Sequence, residues 1–218
     1  MRTNILLAAV LSFASLAALA DAPAPQVPPD KVVQQTATSM FDMVNAKKAE
    51  LQKNPQELYD EVGKILLPHF DFQRASLLVL GQYARGASDA QKKGFQDAFY
   101  KYLVHGYSDA LLKGNYSEHN VQVEPYRAGS DAGKATVKTK VMRENAPPVQ
   151  VDYVLINENG EWKAIDVVIE GISYVLNYRN QFGPEIQKNG LDALIKRLND
   201  DAARGQVEQP GKTQASGG

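Results

Sequence analysis

Apolar positions recur at helical spacing through the first half of the chain. Asp30 is a suitable N-cap for a first helix, whose apolar face consists of Val33, Ala37, Met40, Phe41, Val44 and Leu51. Asn54-Pro55 starts a second helix, Pro68 ends it, and a short helical segment then runs to Gly81. Ser88 to Gln91 is a capping box of the S-x-x-Q kind that opens a long helix. Along that helix, helical spacing aligns Phe95, Phe99, Tyr102, Leu103, Tyr107 and Leu111.

The middle of the chain changes to the period of a β-strand. Four strand candidates follow one another, at residues 120–126, 134–142, 149–156 and 161–170. The links between them are rich in Gly, Asn, Asp and Pro, which are typical of turns. Apolar residues alternate with polar ones, most clearly where Val137 and Val141 alternate with Lys138 and Lys140. Short links and alternation favour an antiparallel meander with one covered face.

Beyond Ile169 the pattern becomes helical again. The last strand ends at Gly171, an aromatic helix follows over residues 172–182, and Gly183-Pro184 separates it from a final amphipathic helix. Helices, a meander and helices, in that order, predict one α+β domain. We expect a curved four-stranded antiparallel sheet with helices packed on one face and a helical subdomain.

The ends of the chain predict export. Residues 1–20 combine Arg2, an apolar run from Ile5 to Leu19 and an A-x-A site, which is typical of a signal peptide cleaved after Ala20. Residues 21–29 are a Pro/Ala linker, residues 30–203 the predicted domain, and residues 204–218 a solvated tail. Cleavage removes one of 24 basic residues and none of 25 acidic ones, leaving a net charge of −2. Such a charge argues against a nucleic-acid partner.

Candidate chemistry is sparse. The chain has no Cys and three His, and the His residues have no metal-ligand spacing, so neither a metal nor a cofactor is predicted. Asp166 lies among apolar residues of the last strand and must find a partner there. One hypothesis makes it the general base of an enzyme with Tyr153 or Tyr174 as proton donor; the favoured one pairs it with Arg179 or with backbone amides near Gly171. No catalytic residue is therefore assigned.

The aromatic helices and the sheet carry much apolar surface for one domain, and this surface forms either a filled core or the wall of a pocket. The residues concerned are Leu80, Phe95, Phe99, Leu103, Tyr107, Val137, Val141, Val151, Tyr153, Leu155, Ile169, Tyr174, Tyr178 and Phe182. Composition and spacing leave both interpretations open, as well as a chaperone or adaptor with a filled core.

Two segments resemble the MlaC family of periplasmic phospholipid carriers, also called toluene-tolerance proteins. The first is W-x-x-x-D-V-x-I-E-G-x-S-x-x-x-N-Y-R-x-Q-F, from Trp162 to Phe182. The second contains Asp71-Phe72, Arg74, Ser76, Val79-Leu80-Gly81 and the Gln91/Phe95/Phe99/Leu103/Tyr107 series. Together they place the resemblance over roughly residues 31–200.

The resemblance implies an NTF2-like sheet, a periplasmic location and a pocket between sheet and helices that holds the acyl chains of a phospholipid. It makes the fourteen residues above candidates for lining that pocket, with Arg143 and Arg179 as candidate headgroup neighbours and Asp166 and Gly171 as structural residues. Bound phospholipid is then cargo. The implied partners are an outer-membrane lipoprotein–porin complex and an inner-membrane ABC transporter assembly. An NTF2-like enzyme acting on a small apolar substrate is the alternative.

Overall fold

The computed structural model describes residues 27–113, 120–129, 131, 133–143 and 146–205, without the side chains of residues 108–110 and 113. The predicted signal peptide, most of the Pro/Ala linker and the tail beyond residue 205 lie outside the described residues. Of the linker, Pro29 belongs to the first helix.

Six α-helices lie within the described residues, four before the sheet and two after it. They are α1 (Pro29–Leu51), α2 (Pro55–Leu66), α3 (Phe72–Leu80), α4 (Asp89–Lys113), α5 (Tyr174–Asn189) and α6 (Leu191–Arg204), with a 3₁₀ helix at Gly81–Arg85 between α3 and α4.

Several helix starts follow the predicted capping chemistry. Asn54 accepts a hydrogen bond from the amide of Glu57, and Ser88 and Gln91 form the reciprocal capping box. The start of α1 is different from the prediction. Pro29 occupies the first turn, where its missing N–H costs nothing, and Asp30 lies inside the helix rather than at its cap.

The sheet confirms the predicted antiparallel meander and adds a short strand to it. Its order is sequential, from β1 (Val121–Val123) through β2 (Lys134–Arg143), β3 (Ala146–Glu158) and β4 (Glu161–Ile169) to β5 (Ile172–Ser173). The additional strand β5 forms because Glu170 and Gly171, with φ of 49° and 79°, make a two-residue turn that pairs Ile169 with Ile172. The fold class is therefore α+β as predicted.

A β-bulge in β4 decides which side chains face the helices. Val154 pairs with Asp166, but Leu155 pairs with Ala164, so Ile165 is an extra residue on the β4 side. Because side chains alternate along a strand, Asp166 lies opposite Val154 on one face, whereas Leu155 and Ala164 share the other.

The break predicted at Gly183-Pro184 is wrong. Helix α5 continues through Pro184 and ends only at Gly190, whose φ is 84°. Proline removes one hydrogen bond from a helix interior. Phe182 and Ile186 flank Pro184 in sequence and are both buried in the same core, so packing offsets the missing bond.

Candidate functional site

An apolar cavity lies between one face of the sheet and α1. Its volume is about 310 Å³. The sheet, α1, the end of α2 with the loop after it, and the end of α4 contribute the lining residues Val32, Val33, Thr36, Ala37, Met40, Phe41, Leu66, His69, Phe70, Leu111, Val121, Val141, Tyr153, Leu155 and Ala164. Such a site can hold a hydrocarbon group.

Helix α1 spans this cavity because it is anchored on both sides of it. Near its start, Val32 and Val33 pack against the sheet in a cluster with Leu155. In its second half, Met43 and Val44 pack in a separate cluster with residues of α2 and α4. The turns between these two anchors line the cavity with the small residues Thr36 and Ala37 and the larger residues Met40 and Phe41.

Three of the fourteen residues predicted to line a pocket border this cavity. They are Val141, Tyr153 and Leu155. Val137 is buried in the adjoining sheet cluster, and Val151 is buried opposite Ile169 in the register of β3 and β4. Their lipid contacts stay a prediction.

The aromatic side chains of α4 and α5 form a packed core rather than a wall of this cavity. Rings meet at centroid distances of 5.5 Å for Phe95 and Phe99, 5.1 Å for Phe99 and Tyr178, and 5.3 Å for Tyr178 and Phe182. Leu80 is buried in the same cluster. Large rings in these orientations interdigitate and leave little free volume.

The remaining aromatic-helix candidates lie at the edge of that core. Leu103 and Tyr174 pack against it, and the Tyr107 and Tyr174 rings are 6.2 Å apart. The hydroxyls of Tyr107 and Tyr178 are buried, and burial raises the pKa of both phenols. The cavity described above lies between the sheet and α1, and lipid contacts of these aromatic-helix residues stay a prediction.

Asp166 is held in a hydrogen-bond network on the face of the sheet opposite the cavity. Its Oδ1 accepts from the amides of Val167 at 2.8 Å and Val175 at 3.0 Å, and its Oδ2 accepts from the Ser173 hydroxyl at 2.5 Å. Ser173 in turn caps α5 by accepting from the amide of Leu176. This geometry supports a structural role for Asp166, joining β4 to the start of α5.

The hydrogen bond of the Arg179 side chain goes to the end of α3, and not to Asp166 as one prediction had it. Its Nε donates to the carbonyl oxygen of Leu78 at 2.7 Å, and so a cation satisfies a carbonyl in the last turn of a helix. Gly81 makes room for this contact, since a Cβ there would lie 3.2 Å from Arg179 Cδ. Arg179 thus joins the two sequence segments that carry the family resemblance.

The two candidate headgroup neighbours differ in their distance from the cavity. Arg143 lies two residues beyond Val141 on β2, and its Nε donates to the carbonyl of Pro147. Arg179 lines a separate polar depression with Gly81 and Asn180. Only Arg143 is therefore near one end of the apolar cavity, and a headgroup contact by either arginine stays a prediction.

The sequence pattern did not identify most of the residues that line the cavity. The signal was present in α1, where the apolar face carries the small residue Ala37 between larger ones. The contribution of His69 and Phe70 depends on a tertiary contact. Ala164 of β4 donates its amide to the carbonyl of His69, which brings the loop after α2 to the sheet.

The part of the chain that the structure describes contains no group of three His, Cys, Asp or Glu residues that could hold a metal ion. None of its helices combines the length and the apolar character needed to cross a bilayer.

Comparison with known proteins reveals similarity over most of the chain. Residues 34–200 match the profile of the MlaC protein family. The toluene tolerance protein ttg2D of Pseudomonas putida is 34% identical over 165 residues, which cover 75% of each chain. The intermembrane phospholipid transport system binding protein MlaC of Haemophilus influenzae is 26% identical over 179 residues, or 81% of this chain and 83% of that one.

A solved structure has the same fold. The phospholipid-binding protein from Ralstonia solanacearum, determined in complex with a phospholipid, superimposes with a TM-score of 0.74 at 25% sequence identity. The match covers 82% of this chain and 99% of the other.

Proposed function

The chain belongs to the MlaC family, and on that premise we propose that it is a periplasmic carrier that moves phospholipid between the outer and inner membranes. Phospholipid binding and transport are the activities for which its relatives are named. The observation that supports the proposal in this chain is the apolar cavity of about 310 Å³ between the sheet and α1.

The energetics of the cavity suit a carrier. Each buried methylene is stabilised by about 0.8 kcal/mol relative to water, and an apolar cavity replaces the bilayer at nearly equal free energy. Exchange between membrane and protein is then close to balanced, and no nucleotide is required in the carrier itself.

The size of the cavity limits its capacity. At about 30 Å³ for a water-sized group, 310 Å³ accommodates roughly ten methylene-sized groups. Two full acyl chains need more space, and the turns of α1 around Ala37 form the wall between the two anchors. We propose that this part of α1 moves outward from the sheet when cargo enters.

The proposed partners follow from the family. We propose exchange with an outer-membrane lipoprotein–porin complex and with an inner-membrane ABC transporter assembly, which would supply the energy. The net charge of −2 expected after signal-peptide removal suits a component that must leave anionic membranes.

The alternative functions have less support. The enzyme hypothesis depends on an acid–base pair of Asp166 with a tyrosine inside a pocket, but Asp166 is bound by Val167, Ser173 and Val175 on the other face of the sheet. The chaperone or adaptor hypothesis depends on a filled interior. The aromatic core is filled, but the space beneath α1 is not.

Mass spectrometry of the organic extract tests the proposal. The purified full-length protein should contain stoichiometric phospholipid, and after delipidation it should take up phospholipid again from vesicles. Protein that holds no phospholipid as purified and cannot be loaded would refute the carrier function.

A matched pair of variants on α1 locates the site. Ala37→Trp places a large ring in the cavity, and we expect phospholipid per protein to fall at least fivefold. Ala46→Trp introduces the same ring at an exposed position of the same helix and should retain the cargo. Equal occupancy in both variants would place the cargo elsewhere.

A further inference from the structure

The cavity between α1 and the sheet exists before cargo enters, and its size is limited. Its volume is about 310 Å³, which accommodates roughly ten methylene-sized groups at about 30 Å³ each. One acyl chain of about ten carbons therefore fills it. A second chain finds no room as long as α1 stays in place.

The two anchors of α1 resist enlargement of this cavity. Val33 is buried on the sheet in the cluster that contains Leu155. Val44 is fully buried in the cluster with residues of α2 and α4, and the ammonium of Lys47 lies 3.2 Å from the Glu61 carboxylate of α2. Displacement of α1 from the sheet exposes the apolar side chains of the first anchor to water, which is unfavourable. An occupant that fits between the anchors avoids this cost.

The lining of the cavity suits a hydrocarbon chain and gives a headgroup no charged partner. Among the described residues that line it there is no Lys, Arg, Asp or Glu. The hydroxyl of Thr36 already donates to the carbonyl of Val32 at 2.8 Å within α1. An apolar lining of this kind stabilises a chain through burial alone. The number and the length of the chains therefore decide which lipid fits.

We propose that the cavity, with α1 in place, is a binding site for one acyl chain, and that lysophospholipids are a second class of cargo that enters without displacement of α1. This inference rests on the proposed carrier function and on the outward movement of α1 proposed for lipids with two chains. About ten methylenes of the single chain are buried, and the rest of a longer chain stays outside the cavity.

The limited volume predicts a break in the dependence of affinity on chain length. Each methylene that enters the cavity should raise the affinity about fourfold. Between six and ten carbons the gain is then roughly 250-fold. Methylenes beyond about the tenth lie outside the cavity, so the affinity should change by less than about threefold from twelve to sixteen carbons.

Isothermal titration calorimetry with a homologous series tests the inference. Delipidated full-length protein is titrated with lysophosphatidylcholines whose chains increase in steps of two carbons from six to sixteen, each below the concentration at which it forms micelles. We expect the affinity to rise steeply up to about ten carbons and then to level off. Absence of binding throughout the series would overturn the inference, and so would an affinity that keeps rising fourfold per methylene up to sixteen carbons.

The pair of α1 variants shows whether the chain occupies this cavity. Ala37→Trp fills the space and should lower the affinity for the twelve-carbon lysolipid about tenfold or more, since the loss of two buried methylenes already has that effect. Ala46→Trp, at an exposed position of the same helix, should keep the affinity of wild type. Equal affinity in the two variants would place the chain elsewhere and overturn the inference. If Ala37→Trp does not fold, the chain-length series on wild type decides.

Uptake of diacyl phospholipid from vesicles, measured on the same preparation, separates this inference from the carrier function. Protein that loads diacyl phospholipid but binds no lysolipid, or shows no break in the series, remains a carrier without the single-chain site. Protein that loads no diacyl phospholipid fails the proposed function itself.

Discussion

Replacement of Asp166 tests whether this carboxylate holds the sheet and α5 together. Asp166→Ala leaves the amides of Val167 and Val175 without their acceptor. A buried unsatisfied donor costs about 1–3 kcal/mol, and because this site is half-buried we expect a loss of about 2–4 kcal/mol for the pair. For a chain of this size, such a loss lowers Tm by roughly 4–16 °C. Asp166→Asn keeps an oxygen for both amides and should cost about 1 kcal/mol.

The measurements are urea unfolding and thermal denaturation, combined with the phospholipid content of each folded variant. We expect the order of stability to be wild type, then Asp166→Asn, then Asp166→Ala, with the same cargo per folded protein in all three. The reasoning would be refuted if the alanine variant were as stable as wild type. It would also be refuted if the asparagine variant folded normally but lost its cargo, because Asp166 would then act on the lipid.

Three further predictions concern residues outside the cavity. Gly81→Ala should lower the free energy of unfolding by about 1–3 kcal/mol, because φ of Gly81 is +56° and the new Cβ would press on Arg179. The control Gly86→Ala has a φ of −94° and open space around it. It should be neutral or slightly stabilising in urea unfolding. Burial lowers the pKa of His105 below 6.5, so the unfolded chain takes up the proton first as pH falls. The stability contribution of neutral His105 should be complete above 6.5 and be lost as pH falls from there toward the folded pKa, and His105→Gln should flatten this decline in urea unfolding. Phe99→Leu should lower the free energy of unfolding by about 1–3 kcal/mol and leave the amount of phospholipid per folded protein unchanged. A loss of phospholipid without a loss of stability would show that the aromatic core contacts lipid.

The secondary structure was largely predictable because its determinants are local. The capping box at Ser88 and Gln91 and the cap at Asn54 act within one helical turn. The alternation along β2 buries Val137 and exposes Lys138 and Lys140, as the pattern indicates. The break assigned to Pro184 is the exception, since buried neighbours on both sides of it override a local rule.

The partners of Arg179 and Asp166 were less predictable. Both residues belong to the segment that carries the family resemblance, and a direct pair between them was one expected solution. In the structure each residue has a different partner: Arg179 binds Leu78 on α3, and Asp166 binds the start of α5. The distance between two charged residues in sequence contains no information on which backbone groups become available when the helices pack.

The sequence by itself determined the order of helices and strands, the α+β class and the presence of more apolar surface than one sheet face requires. Only the tertiary structure decided which apolar surface is packed and which borders a cavity. The rings of α4 and α5 meet one another and fill their interface, whereas α1 and the sheet border a cavity. The physical reason is that packing density belongs to a pair of facing surfaces, and neither surface specifies it alone.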